Sequence, residues 1–83
     1  MKKKEFEQKM QELGVIKKYY SKERKKGFDY YIDEEKFLIY GVLEENHKYV
    51  VFLKDFEREK FKETGEFNSE DEAYDYLMEL IKK

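Results

Sequence analysis

Residues 36–56, KFLIYGVLEENHKYVVFLKDF, limit the fold more than any other stretch. They read as two long β-strands joined by a tight turn at Glu45-Asn46-His47. The stretch holds most of the β-branched and aromatic residues that favour strands, and Asn46 tolerates a left-handed backbone at the turn. Residues 37–43, Phe-Leu-Ile-Tyr-Gly-Val-Leu, are apolar on both alternating faces. A strand with one wet face alternates with polar residues, so this pattern calls for a strand covered on both sides.

The register of that hairpin depends on its loop. A three-residue loop at 45–47 sets Phe37, Ile39 and Leu43 on one face with Tyr49, Val51 and Leu53. A two-residue loop groups them with Val50 and Phe52 instead, because a slip of one residue exchanges the faces. Both registers leave large apolar side chains on each face. One face calls for helices, and the other for a second helix, a loop or a partner molecule.

The flanking segments supply those helices. Over residues 2–13, Phe6, Met10 and Leu13 fall at i, i+4 and i+7 and make one helical stripe, ended by Gly14. Lys2 to Lys4 crowd the positive end of that helix dipole, so its first turn should fray. Residues 15–20 fit either a short strand or an extended connector, and residues 21–27, SKERKKG, form a basic loop. Residues 28–33 alternate Phe28/Tyr30/Ile32 against Asp29/Tyr31/Asp33, the pattern of a half-buried strand, and Asp33-Glu34-Glu35 turns into the hairpin. Residues 59–67 fit a charged edge strand in which Phe61 and Phe67 point inward. Ser69 and Glu72 then form an S-x-x-E capping box ahead of a stripe of Ala73, Leu77, Leu80 and Ile81, with Tyr76 at its margin. The order is α-β-β-β-(β)-α. This is an α+β fold in one domain spanning 1–83, an antiparallel sheet of three to four strands flanked by an N-terminal and a C-terminal helix.

Composition narrows the function more by exclusion than by assignment. The chain has no Cys and no Pro, 8 Tyr and 7 Phe against a single Ala, and 16 Lys against 2 Arg. Its core must therefore be aromatic and unstapled, and the amino-acid usage suits an AT-rich bacterial or phage genome. The opening Met1-Lys2-Lys3-Lys4 is not followed by the apolar run of a signal peptide, and no apolar run approaches the roughly 18 residues of a membrane span. A cytoplasmic protein without a membrane partner is expected. One His, two Ser and one Thr leave little from which to build a nucleophile and its base. His47 sits in a turn with no serine beside it, the acidic pairs lack calcium-loop spacing, and the four glycines are too isolated to cradle phosphate. No catalytic residue, metal ligand or cofactor is expected, and the chain does not read as an enzyme.

Binding remains. Residues 1–27 carry a net charge of +6 and residues 28–83 a net of −8, an asymmetry that is either a solubilising surface or the mark of a charged partner. In the basic segment, Lys17, Lys18, Lys22, Arg24, Lys25 and Lys26 are interleaved with Tyr19 and Tyr20, pairing cations for phosphate with rings for stacking. The acidic remainder would repel a nucleic-acid backbone. A sheet face free of helices would present Tyr31, Tyr40 and Val42 rimmed by Asp33, Glu44 and Glu45, a composition suited to a protein interface. Helices on opposite faces would leave nothing exposed. A homodimer that buries the spare face is a further reading.

The C-terminal half adds a resemblance. His47-Lys48-Tyr49-Val50-Val51-Phe52, Phe56-Glu57-Arg58-Glu59-Lys60, and Phe67-Asn68-Ser69-Glu70-Asp71-Glu72-Ala73 running into Tyr76-Leu77 resemble small immunity proteins of bacterial polymorphic toxin systems. The likeness covers residues 47–77 and the N-terminal third only in outline. It implies a stoichiometric inhibitor of a cognate toxin with no chemistry of its own. An acidic surface would suit a nuclease toxin, whose cleft must be cationic.

Overall fold

The structure is a computed structural model that describes residues 1–14, 16–19, 27–55, 57 and 61–82, with 16–19 described by backbone alone. Helix α1 (Lys3–Leu13) is followed by strands β1 (Ile16–Tyr19), β2 (Phe28–Asp33), β3 (Leu38–Glu45), β4 (Lys48–Asp55) and β5 (Lys62–Phe67), and helix α2 (Glu70–Lys82) closes the chain. The strands form one antiparallel meander in the order β1-β2-β3-β4-β5. The α+β layout is the expected one. The sheet has five strands because the 16–19 segment, open in sequence between strand and connector, pairs with β2.

The central hairpin adopts the two-residue loop. Glu45 pairs with Lys48, and Asn46 and His47 carry φ of 53° and 63°. Two consecutive positive φ values give the turn whose twist matches that of paired strands. This register sets Leu43 opposite Val50 and Gly41 opposite Phe52, and on the other face Val42 opposite Val51 and Tyr40 opposite Leu53.

Both helices lie on this second face. Phe6 and Met10 of α1 and Ala73, Tyr74, Leu77, Met78 and Ile81 of α2 share one buried cluster with Tyr31, Tyr40, Val42 and Val51. Leu13, in the last turn of α1, is 53% exposed, so the α1 stripe reaches the core only through Phe6 and Met10. Gly14 ends that helix in the left-handed region at φ 72°, its N–H bonded to the Met10 carbonyl. No side chain caps the other end. There the Met1 ammonium meets Asp75 at 2.7 Å, which holds its pKa above the ordinary value, and Lys3 meets Asp29 at 2.8 Å.

The capping box forms as the sequence indicates on its Ser69 side: the Glu72 N–H donates to Ser69 Oγ at 3.2 Å. At the far end of α2, Lys36 Nζ donates to the Ile81 carbonyl at 3.0 Å, placing a cation at the helix C-terminus. Tyr74 and Met78, outside the predicted stripe, are buried as well. Phe67 packs toward α2 against Tyr76, with ring centroids 5.0 Å apart.

Candidate interaction surface

Residues paired across strands share a face, so the register assigns every side chain of β2 to β4. The helix-covered face carries Asp29, Tyr31 and Asp33 from β2, and Leu38, Tyr40, Val42 and Glu44 from β3. This corrects the placement of Tyr31, Tyr40 and Val42 on a free face: they are 0%, 1% and 3% exposed beneath the helices. Asp33 is no rim residue either, at 2% exposed. Its Oδ1 accepts the N–H groups of Glu35 and Lys36, both at 3.0 Å, and so organises the β2–β3 turn. Of the predicted acidic rim, Glu44 and Glu45 are exposed.

The physical reason for the inversion is that the more polar half of β2 finds its partners inside. Asp33 has two backbone donors, Asp29 has Lys3, and the Tyr31 hydroxyl donates to Glu7 Oε1 at 3.0 Å while meeting the Tyr74 hydroxyl at 3.0 Å. Polar groups whose hydrogen bonds are supplied can sit on the packed face at little cost. Burial, reinforced by the neighbouring Tyr74 hydroxyl, pushes the Tyr31 phenol well above its ordinary range, and burial also raises Tyr74. Tyr40 is raised by burial and then by the nearby Asp33 carboxylate.

The face without helices is built from Phe28, Tyr30 and Ile32 of β2, Ile39, Gly41 and Leu43 of β3, and Val50 and Phe52 of β4. Its centre holds no charge. Four rings converge on it. Phe28 stacks on Tyr30 at a centroid distance of 4.3 Å and on Phe52 at 5.6 Å, and Phe61 leans over Phe28, Tyr30 and Phe52 at 5.7, 5.6 and 6.3 Å. Lys54 Nζ stands 5.5 Å from the Phe61 ring centroid. Gly41 makes this packing possible, since a Cβ there would overlap the Phe28 ring. Phe28 and Leu43 are buried, while Tyr30, Ile32, Ile39, Val50, Phe52 and Phe61 are half-buried. Among the described residues outside the sheet, Phe61 is the one whose ring contacts reach this face. Its polar margin carries both signs: Glu45, Glu63 and Glu66 with Lys48 and Lys54, of which Lys48 and Glu66 are paired at 3.0 Å.

Phe28, Tyr30 and Phe52 become readable as one set only once the two-residue turn is known. Phe61, expected to point inward together with Phe67, lies on this face instead: the register shift between Val51 and Phe52 sets Glu63, and Phe61 two residues before it, on the opposite side from Phe67. The basic segment is described only in part. Lys17, Lys18 and Tyr19 stand in β1 in register with Ile32, Tyr31 and Tyr30. Tyr20, Lys22, Arg24, Lys25 and Lys26 lie outside the described residues.

A second feature lies at the β2–β3 turn, where Phe37 is 66% exposed with φ 56°. It borders an open cavity of about 400 Å³ lined also by Lys36, Asp55 and Glu57. Among the described residues no helix is long and apolar enough to cross a membrane. Set against known proteins, the chain matches no family model, no curated protein and no solved structure.

Proposed function

We propose that this protein is a non-catalytic protein-binding module of the immunity type, an inhibitor that docks a cognate toxin or other protein on its helix-free sheet face. One observation carries the reading. β3 is apolar on both faces, yet α1 and α2 share one of them, so the charge-free centre around Ile39, Val50 and Phe52 calls for an occupant. Aromatic and aliphatic centres with charges kept to the margin suit protein contacts. Glu45 on that margin would steer a cationic partner toward it, and Glu44, exposed at the same end of β3, adds to the field there.

The test is an affinity pull-down from the native host with tagged protein, run beside a Val50→Lys variant whose folding is checked by circular dichroism. The expected result is one stoichiometric partner carrying a toxin or nuclease domain, lost on Val50→Lys. Capture of nothing, or capture indifferent to Val50→Lys, overturns the reading. Nucleic acid in the eluate, released steeply by salt, would transfer the binding role to the basic segment 17–26.

A further inference from the structure

We infer that the cavity beside Phe37 is a guanidinium site, and that its occupant is an arginine side chain presented by the partner protein. The site lies at the β2–β3 turn and the end of β4, and only the source of its arginine rests on the protein-binding reading of the chain.

It begins with a side chain badly placed for stability. Phe37 is 66% exposed and Leu13 53%, the two large apolar residues that stand more than half in solvent among the described residues. The φ of Phe37 is 56°, a left-handed backbone in which an L-residue is strained. Its ring gains little burial in return. Strain of this kind persists where the surrounding structure imposes it, and it clusters at ligand-binding positions.

Phe37 lines a cavity of about 400 Å³, within the range of about 300–1,000 Å³ that ligand sites occupy. The other described lining residues set what it can take. Asp55 and Glu57 bring two carboxylates against the one ammonium of Lys36, a net charge of −1. The Lys36 ammonium donates to the Ile81 carbonyl at 3.0 Å, which holds it at the end of α2. That carbonyl end is itself the negative pole of the helix dipole. An anion is therefore repelled, and a purely apolar group would strip water from the half-buried Asp55 without replacing it. A ring beside carboxylates suits a cation with a flat face. Guanidinium stacks on the ring and forks to a carboxylate, whereas an ammonium is a compact, strongly hydrated point charge.

Magnitude decides the source of the cation. A cation over an exposed ring gains about two- to fivefold in affinity, and each exposed ion pair up to about fivefold. Together these reach about a hundredfold, a dissociation constant near 10 mM for a free guanidinium compound. That is too weak to retain a small molecule, yet it matches the factor that one arginine anchor supplies inside a protein interface.

Two-dimensional NMR of the full chain, titrated with N-acetyl-arginine amide at constant ionic strength, tests the site; N-acetyl-lysine amide is run beside it. Saturable shifts at Phe37, Asp55 and Glu57 are expected, with a constant near 10 mM and several-fold weaker binding of the lysine derivative. Phe37→Gly relieves the strained backbone, so the fold is kept, and should weaken binding at least about threefold. Phe37→Tyr should preserve binding, and Glu57→Gln should weaken it about two- to fivefold. Shifts that do not saturate, that are equal for the lysine derivative, or that persist unchanged in Phe37→Gly overturn the inference. A constant below about 1 mM overturns the partner's arginine as the source and assigns the cavity to a free guanidinium compound. In the pull-down, a partner lost on Val50→Lys but fully retained by Phe37→Gly overturns the anchor alone. Saturable arginine binding with no captured partner overturns the inhibitor reading and the source it supplied, while the guanidinium site stands.

Discussion

The hydroxyl oxygens of Tyr31 and Tyr74 lie 3.0 Å apart in the middle of the core. Tyr31 donates onward to Glu7 Oε1 at 3.0 Å, so Tyr74 is the donor within the pair. This relay ties β2, α2 and α1 together at the point where the Phe6 ring meets both tyrosines, 5.1 and 5.0 Å away. The direction of the relay makes its members unequal. Tyr31→Phe removes the acceptor of a buried Tyr74 hydroxyl and the donor to Glu7, and should cost about 2–3 kcal/mol. Tyr74→Phe leaves the bond to Glu7 in place and should cost about 1 kcal/mol. Urea unfolding of the two variants gives the order directly; equal or reversed costs would refute the assigned direction.

The same tyrosines set the alkaline limit of the fold. Burial raises the folded-state pKa of Tyr31, Tyr74 and Tyr40 above the ordinary 10.0. In the unfolded chain these phenols ionise near pH 10, whereas in the native protein they stay protonated. The unfolded state thus binds fewer protons above that pH, and stability falls as pH rises. Their contribution is complete below pH 10 and declines above it. Phenolate absorbance should rise in two stages, the other tyrosines first and the buried set only together with loss of the helical circular dichroism signal. Ionisation of all tyrosines while the helices persist would contradict the burial of this set.

How much of this was legible in the sequence varied with the kind of interaction. Local signals read true: Asn46 marked the turn, Ser69 marked the start of α2, and Gly14 marked the end of α1. Each acts through its own backbone and needs no tertiary context. The assignment of faces on β2 was not legible. By hydrophobicity Phe28/Tyr30/Ile32 is the core set, and only the partners that Glu7, Tyr74 and Lys3 bring from distant segments make Asp29/Tyr31/Asp33 the packed one. Those partners lie 24, 43 and 26 residues away, which no periodicity records. The candidate surface failed to emerge for the same reason. Its rings come from β2, β4 and the residue before β5, and they meet only after the turn has fixed the register.

Gly41 is the point where that surface depends on a missing side chain. A Cβ at this position would overlap the Phe28 ring, and the backbone there is ordinary strand, so the cost of Gly41→Ala is steric. We expect about 1–3 kcal/mol of destabilisation, the usual range for overpacking. Shortening the ring should relieve it: in the double variant Gly41→Ala with Phe28→Leu, the two losses should fall short of their sum by about 1 kcal/mol, as for residues in contact. Strict additivity in chemical denaturation would mean that Phe28 does not occupy the space above Gly41.

Phe37 presents the opposite case, a side chain where glycine would be easier. Its φ of 56° lies in the left-handed region, which costs an L-residue roughly 1–2 kcal/mol. The turn that holds it there is fixed by the buried Asp33 carboxylate, which accepts from Glu35 and Lys36. With the ring 66% exposed, little burial is lost when it is removed. Phe37→Gly should relieve the strain while adding freedom to the unfolded chain, for a net gain of up to about 1 kcal/mol. Asp33→Ala should act in the other direction: it leaves two turn N–H groups without their acceptor and should cost about 1–3 kcal/mol. Thermal unfolding of both variants reads the signs at once. A loss of stability on Phe37→Gly would show that the ring's contacts at the turn outweigh the strain of its backbone.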